Sequence, residues 1–270
     1  MVTAVEVRLS AAGGVPARAY ATVLQQVTFA LEEIDRITHP TPATRPAWSV
    51  TRTDWSASSG PLLLLTPDAD PKRRSTEDIS KPARTLVDGV LTLSGVPEIP
   101  DGFSEGVIER IGNVRRQIDG RDRSLHAVTL VSVNGTRSTP AEVSEVVGRN
   151  AKAAVTGTSY AYGSLVGTLD VISARRHKRR IGLLPDHGSA VTCNVDKLPD
   201  DMVVGSFNKR VVVGGLLRRN SRGQVVRLDA DHLELAPRRP AVRAADLVGA
   251  VPDLGDGLSV SDYLARQRGR

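Results

Sequence analysis

Residues 2–9 alternate, with Val5, Val7 and Leu9 on one side and Glu6 and Arg8 on the other, which predicts a half-buried strand. After Gly13-Gly14 the period lengthens. Tyr20, Val23, Leu24, Val27, Leu31, Ile34 and Ile37 recur every three or four residues, the stripe of an amphipathic helix. It starts near Pro16 and ends at His39-Pro40 and the proline-rich run to Pro46. Strands are predicted over 47–56 and 61–66, joined by a Ser58-Ser59-Gly60 turn, and Pro67 to Pro71 reads as a loop. Helical spacing returns over 76–93, where Pro82 is expected to break or restart the helix. A clearer helix covers 104–118, and 125–133 reads as a strand closing on the turn dipeptide Asn134-Gly135. Thr139-Pro140-Ala141-Glu142 then has the form of a helix start, with Thr139 as cap and Glu142 completing the box, so a helix is expected from there to about 154.

From Tyr160 the texture changes to β-branched runs with short turns. Strands are predicted over 165–173, 179–184, 190–195, 210–218 and 225–235, with a short helical interlude at 199–207. Three strands, a short helix and two strands is an order that resembles the five-stranded OB-type barrel. The expected class is therefore α+β. A mixed domain over 1–156 is followed by an OB-like antiparallel barrel over 157–237, then a linker and partner-binding tail over 238–270.

Composition sharpens this picture in three ways. With 40% hydrophobic but only 3% aromatic residues, both cores must be built from Val, Leu, Ile and Ala. The single cysteine, Cys193, closes no intrachain disulfide, which fits a reducing compartment. The net charge of +6 is unevenly placed. Residues 1–156 are neutral with 18 Lys/Arg and 18 Asp/Glu, 157–237 carry 12 against 8, 238–245 add three arginines, and 246–270 carry 3 against 4. The surplus base of the second half suits phosphate or acidic protein surfaces. Nothing approaches the roughly 20 apolar residues of a membrane helix, and the first ten residues lack the basic and apolar blocks of a secretory signal. A cytoplasmic protein is expected.

Catalytic motifs are missing. There is no HExxH pair, no GxSxG, no phosphate-cradling GxxxxGK[ST] and no GxGxxG after a strand. The Asp186-His187 pair lies where a hairpin turn wants Asp and Gly for backbone reasons, and Cys193 alternates with Val191 and Val195 as a core residue would. No catalytic residue, metal or cofactor is expected, although acids from remote segments could still converge into a hydrolase or nuclease site.

Two features point to binding. Arg175, Arg176, Lys178, Arg179 and Arg180 crowd one strand connection, and Arg218, Arg219 and Arg222 surround another. Guanidinium groups there would hold nucleic-acid phosphates in forks, largely independent of sequence. The second feature is the tail, Pro252-Asp253-Leu254-Gly255-Asp256-Gly257-Leu258-Ser259-Val260-Ser261-Asp262-Tyr263-Leu264-Ala265-Arg266-Gln267-Arg268. It resembles the toxin-binding tails of type II antitoxins, particularly those paired with PIN-domain ribonuclease toxins. That resemblance implies Leu254, Leu258, Tyr263 and Leu264 as apolar anchors, and Arg266, Arg268 or Arg270 as a cation placed among the acidic metal ligands of a partner. It covers under a tenth of the chain, and such antitoxins are much shorter than this protein and begin with a small DNA-binding fold. The leading expectation is a non-enzymatic, antitoxin-like inhibitor or adaptor that captures an acidic partner protein through 246–270. Next come a nucleic-acid-binding barrel and a dispersed acidic hydrolase.

Overall fold

The computed structural model describes residues 2–11, 14–39, 45–55, 60–70, 72–119, 125–175, 178–186 and 189–237. By contacts the chain divides into two units, Met1–Leu235 and Ala236–Arg270. Among the described residues no helix is long and apolar enough to cross a membrane.

The first half is α+β. β1 (Ala4–Ser10) lies at the centre of an antiparallel sheet, between β3 (Leu62–Asp68) and β4 (Ala127–Asn134); β2 (Ala47–Asp54) flanks β3. Two short strands, β5 (Thr136–Arg137) and β6 (Ala141–Glu142), share the far edge of β4. The apolar side of β1 packs as expected, with Val5, Val7 and Leu9 joining Leu63, Leu65, Val128 and Leu130 in a core completed by the helices. The strand is not half-buried, however: Glu6 on its other side is buried too, paired with Arg8 and Arg137. These are α1 (Ala17–Thr38), α2 (Thr76–Gly95), α3 (Glu105–Ile118) and α4 (Glu145–Ala154). The α1 stripe packs as its spacing requires, with Val23, Val27, Leu31 and Ile34 fully buried.

Two local expectations are corrected. Pro82 does not interrupt α2. A proline at 82 leaves the Asp78 carbonyl without its usual i+4 donor, and Arg74 Nη2 donates to that oxygen instead at 2.8 Å. The same guanidinium reaches Asp35 Oδ1 of α1 at 2.5 Å, and both side chains are only 1% exposed. Thr139 does not cap a helix either. Ala141 and Glu142 pair with Leu130 and Thr129, so sheet hydrogen bonds win over a local capping box. The helix starts four residues after Ala141, where Ser144 Oγ accepts the Val147 N–H.

The second half is a five-stranded ring. β7 (Ser159–Arg175), β8 (Lys178–Pro185) and β9 (Val191–Asn194) are followed by the short α5 (Asp200–Gly205), then β10 (Arg210–Arg219) and β11 (Val225–Leu235). Pairing runs β7-β8-β9-β11-β10 and returns from β10 to β7; β9–β11 is parallel and the other pairs antiparallel. Leu169, Ile181, Leu183, Val211, Val213 and Leu228 fill its interior together with Cys193. Gly215, at φ 153°, sits at a register shift in β10, where a Cβ would lie 2.2 Å from the Asp229 carbonyl oxygen.

Candidate functional surfaces of the barrel

The β10–β11 turn is docked on the first half. Gln224 presents its amide to the backbone of Ile99, accepting from its N–H at 2.7 Å and donating to its carbonyl at 2.9 Å. Asn220 Nδ2 donates to the Ala154 carbonyl at the end of α4 and to Gln224 Oε1, while its own Oδ1 accepts the Arg222 and Gln224 N–H groups. Val226 lies in the core of the first half. Side-chain amides thus do here what a strand ladder does elsewhere, satisfying half-buried backbone groups across a joint.

The outer face of β7, β8 and β9 forms one wall of a cleft of about 180 Å³ whose other wall is α1 and the start of α3. Glu33 lines it. The Ser104 hydroxyl donates to its carboxylate, and Arg110 and Arg36 lie 3.5 and 3.8 Å away. Ser104 also caps α3 by accepting the Val107 N–H. Gly106 permits the approach, because a Cβ at that position would lie 2.4 Å from Glu33 Oε1. A carboxylate at the positive end of α3 is stabilised by the helix dipole. Asp170 of β7 faces the same cleft, its acidity weakened by burial, while Arg36 and Arg45 partly counteract that effect. Glu105 is likewise pushed up by burial and is paired with Arg227 of β11 at 2.7 Å. Guanidinium groups therefore lie close to the acids of this seam. The described residues contain no group of three or more His, Cys, Asp or Glu able to hold a metal.

Among the described residues, most of the basic side chains singled out from the sequence have partners within the fold. Arg175 pairs with Lys178 in the β7–β8 register, Lys178 and Arg180 are exposed, and Arg176 lies outside the described residues. Arg179 is held at the barrel base by Asp200 and by the Asp196 carbonyl. Arg218 pairs with Asp229 at 3.2 Å and lies 5.6 Å over the Tyr160 ring. Arg219 donates to the Gly223 carbonyl, and Arg222 stands 3.6 Å from Glu98. Leu254, Leu258, Tyr263, Leu264, Arg266, Arg268 and Arg270 lie outside the described residues, as does His187. Cys193 is buried in the barrel, and burial pushes its thiol up to about 12. The Glu33–Ser104 and Gln224–Ile99 joints had no sequence signature, since each unites residues at least 71 apart.

No family model matches the chain, and neither the curated proteins nor the solved structures contain a match to it.

Proposed function

We propose that this chain is a non-enzymatic, cytoplasmic adaptor of antitoxin type, whose segment 246–270 captures an acidic partner protein such as a PIN-type ribonuclease. The observation that carries the reading is the division of the chain after Leu235. The first unit holds two filled cores and a satisfied joint, and the spaced anchors and terminal arginines all fall in the second. In a partner's carboxylate cluster, an inserted guanidinium replaces the charge of the metal and blocks substrate phosphate. Beside this, the guanidinium groups around Glu33, Glu105 and Asp170 favour a structural seam over an acid–base pair.

The test is co-expression with a small acidic PIN-type ribonuclease toxin, for which a short reading frame beside this gene is the first candidate to seek. The full chain should relieve its toxicity, and a chain ending at residue 245 should not. Equal relief by both would remove the tail from the mechanism.

A second reading rests on Lys178 and Arg180, which stand exposed beside the β7–β8 turn. The strand order, the parallel β9–β11 pair and the placement of α5 support an OB-type barrel, a class that binds nucleic acid on its second and third strands and the loops beside them. In this chain α1 and α3 line a cleft against that face, and the β10–β11 loop is engaged with Ile99 and Ala154, which ranks the reading second. Replacing Arg175, Arg176, Lys178, Arg179 and Arg180 with Ala should weaken oligonucleotide binding and flatten its salt dependence. An unchanged slope removes it.

A further inference from the structure

The first half of β7 is an open edge. β10 pairs with it from Ser159 to Thr168, but β8 joins only at Gly167, and Asp186 N–H takes the Val166 carbonyl. Among the described residues nothing pairs with the other side of 159–165. Every residue from Ser159 to Ser164 is exposed, with Arg218 over Tyr160 and Leu217 beside Gly163 reaching the ribbon from β10.

Proteins guard such edges with charge, proline, bulges or a covering element. This chain guards its other long edge in that way: β2 carries Arg52 and Asp54, and its register with β3 shifts between Val50 and Arg52. The 159–165 stretch has no charged residue, no proline and no register shift against β10. An unguarded, aromatic, regular strand edge is one built to be paired.

We propose that this edge pairs antiparallel with the same segment of a second copy, about a twofold axis at Ala161. The sequence is self-complementary in that register. Leu169 and Gly167 are buried, so the odd-numbered residues of β7 face inward and Tyr160 and Tyr162 face outward, 58% and 76% exposed. The axis sets Tyr160 against Tyr162 of the partner subunit twice over, two aromatic cross-strand pairs. On the inner face Ser159 meets Gly163 of the partner subunit and Ala161 meets its equivalent, so only small side chains face one another. The stretch carries no charge of its own, and the Arg218 guanidinium over Tyr160 is already paired with Asp229, so a second copy fits better than a charged peptide. The inference is independent of the tail's role.

Ala161→Cys tests it on the full chain. Directly opposed residues of antiparallel strands lie about 4.5–5.5 Å apart at Cα, inside the about 4.4–6.8 Å range of disulfides. Mild oxidation should therefore give a covalent dimer. Ser164→Cys lies three residues from the axis, about 20 Å from its equivalent at a strand rise of about 3.3 Å, and should stay monomeric. Cys193 is buried and does not compete. In sedimentation velocity the unmodified protein should associate as concentration rises. Tyr162→Lys, an exposed change that leaves the melting temperature in place, should abolish that. A monomer at all concentrations, equal cross-linking of the two cysteine variants, or a monomer whose tyrosines bind an oligonucleotide would overturn the proposal.

Discussion

Arg74 holds two things at once, and replacing it with Met separates them. It neutralises Asp35, with both side chains 1% exposed, and it supplies the donor that Pro82 withholds from the Asp78 carbonyl. Breaking a buried ion pair by removing one partner costs about 3–5 kcal/mol. An unsatisfied carbonyl adds up to about 1–3 kcal/mol, toward the low end for the part-buried one of Asp78. Together these come to about 4–8 kcal/mol, and at about 2–4 °C per kcal/mol for a chain of this size Arg74→Met should lower the melting temperature by about 8–32 °C. The two contributions can be resolved in a cycle. Adding Asp35→Leu removes the stranded charge and should recover most of the loss, because a buried pair is often replaceable by apolar residues at little cost. Adding Pro82→Ala instead restores a backbone donor to Asp78. It should stabilise Arg74→Met by about 1–3 kcal/mol more than it stabilises the parent, the size of the carbonyl contribution. Urea unfolding of the parent, single and double variants gives these quantities directly. If Arg74→Met costs under about 1 kcal/mol, or if Pro82→Ala acts equally in both backgrounds, the arginine does not play this double role.

Three further outcomes are expected. Gln224→Ala removes both bonds to the Ile99 backbone. It should cost about 2–4 kcal/mol and split one urea transition into two, whereas a single unshifted transition would show that the amide joint does not couple the halves. Asp170 has a raised pKa because of burial. Its protonated form contributes stability that is full below its unfolded value of about 3.8 and is lost as pH rises through its folded value. Asp170→Asn should therefore gain on the parent as pH rises from 3.5 to 7, and a gain that shrinks over that range would refute this. Cys193, with its thiol pushed up to about 12, should resist thiol reagents in the folded protein and react once unfolded; rapid reaction in native buffer would place it elsewhere.

Period and turn chemistry make most elements legible in the sequence. The α1 stripe, the α3 face and the succession of barrel strands each follow from local spacing, and local spacing is where the hydrophobic pattern acts. What escaped was set at long range. Ala141–Glu142 is a strand because Thr129 and Leu130 offer it hydrogen bonds, against a capping box with better local credentials. Pro82 is tolerated because a side chain four residues before Asp78 replaces the missing donor. The basic turns illustrate the limit for function. Sequence grouped Arg218, Arg219 and Arg222, yet folding gives each an internal partner: Asp229, the Gly223 carbonyl and Glu98. The cleft around Glu33 was invisible because Ser104 and Asp170 come from segments remote from α1.

The adaptor reading is tested most directly by the tail in isolation. A fluorescently labelled peptide of residues 246–270 is titrated with a purified PIN-type ribonuclease, and ribonuclease activity is followed in parallel. The peptide should bind and inhibit. Replacing Arg266, Arg268 and Arg270 with Ala should remove the inhibition while the apolar anchors retain weak binding. A silent peptide, alongside a truncated chain of residues 1–245 that still binds the ribonuclease, would contradict the reading.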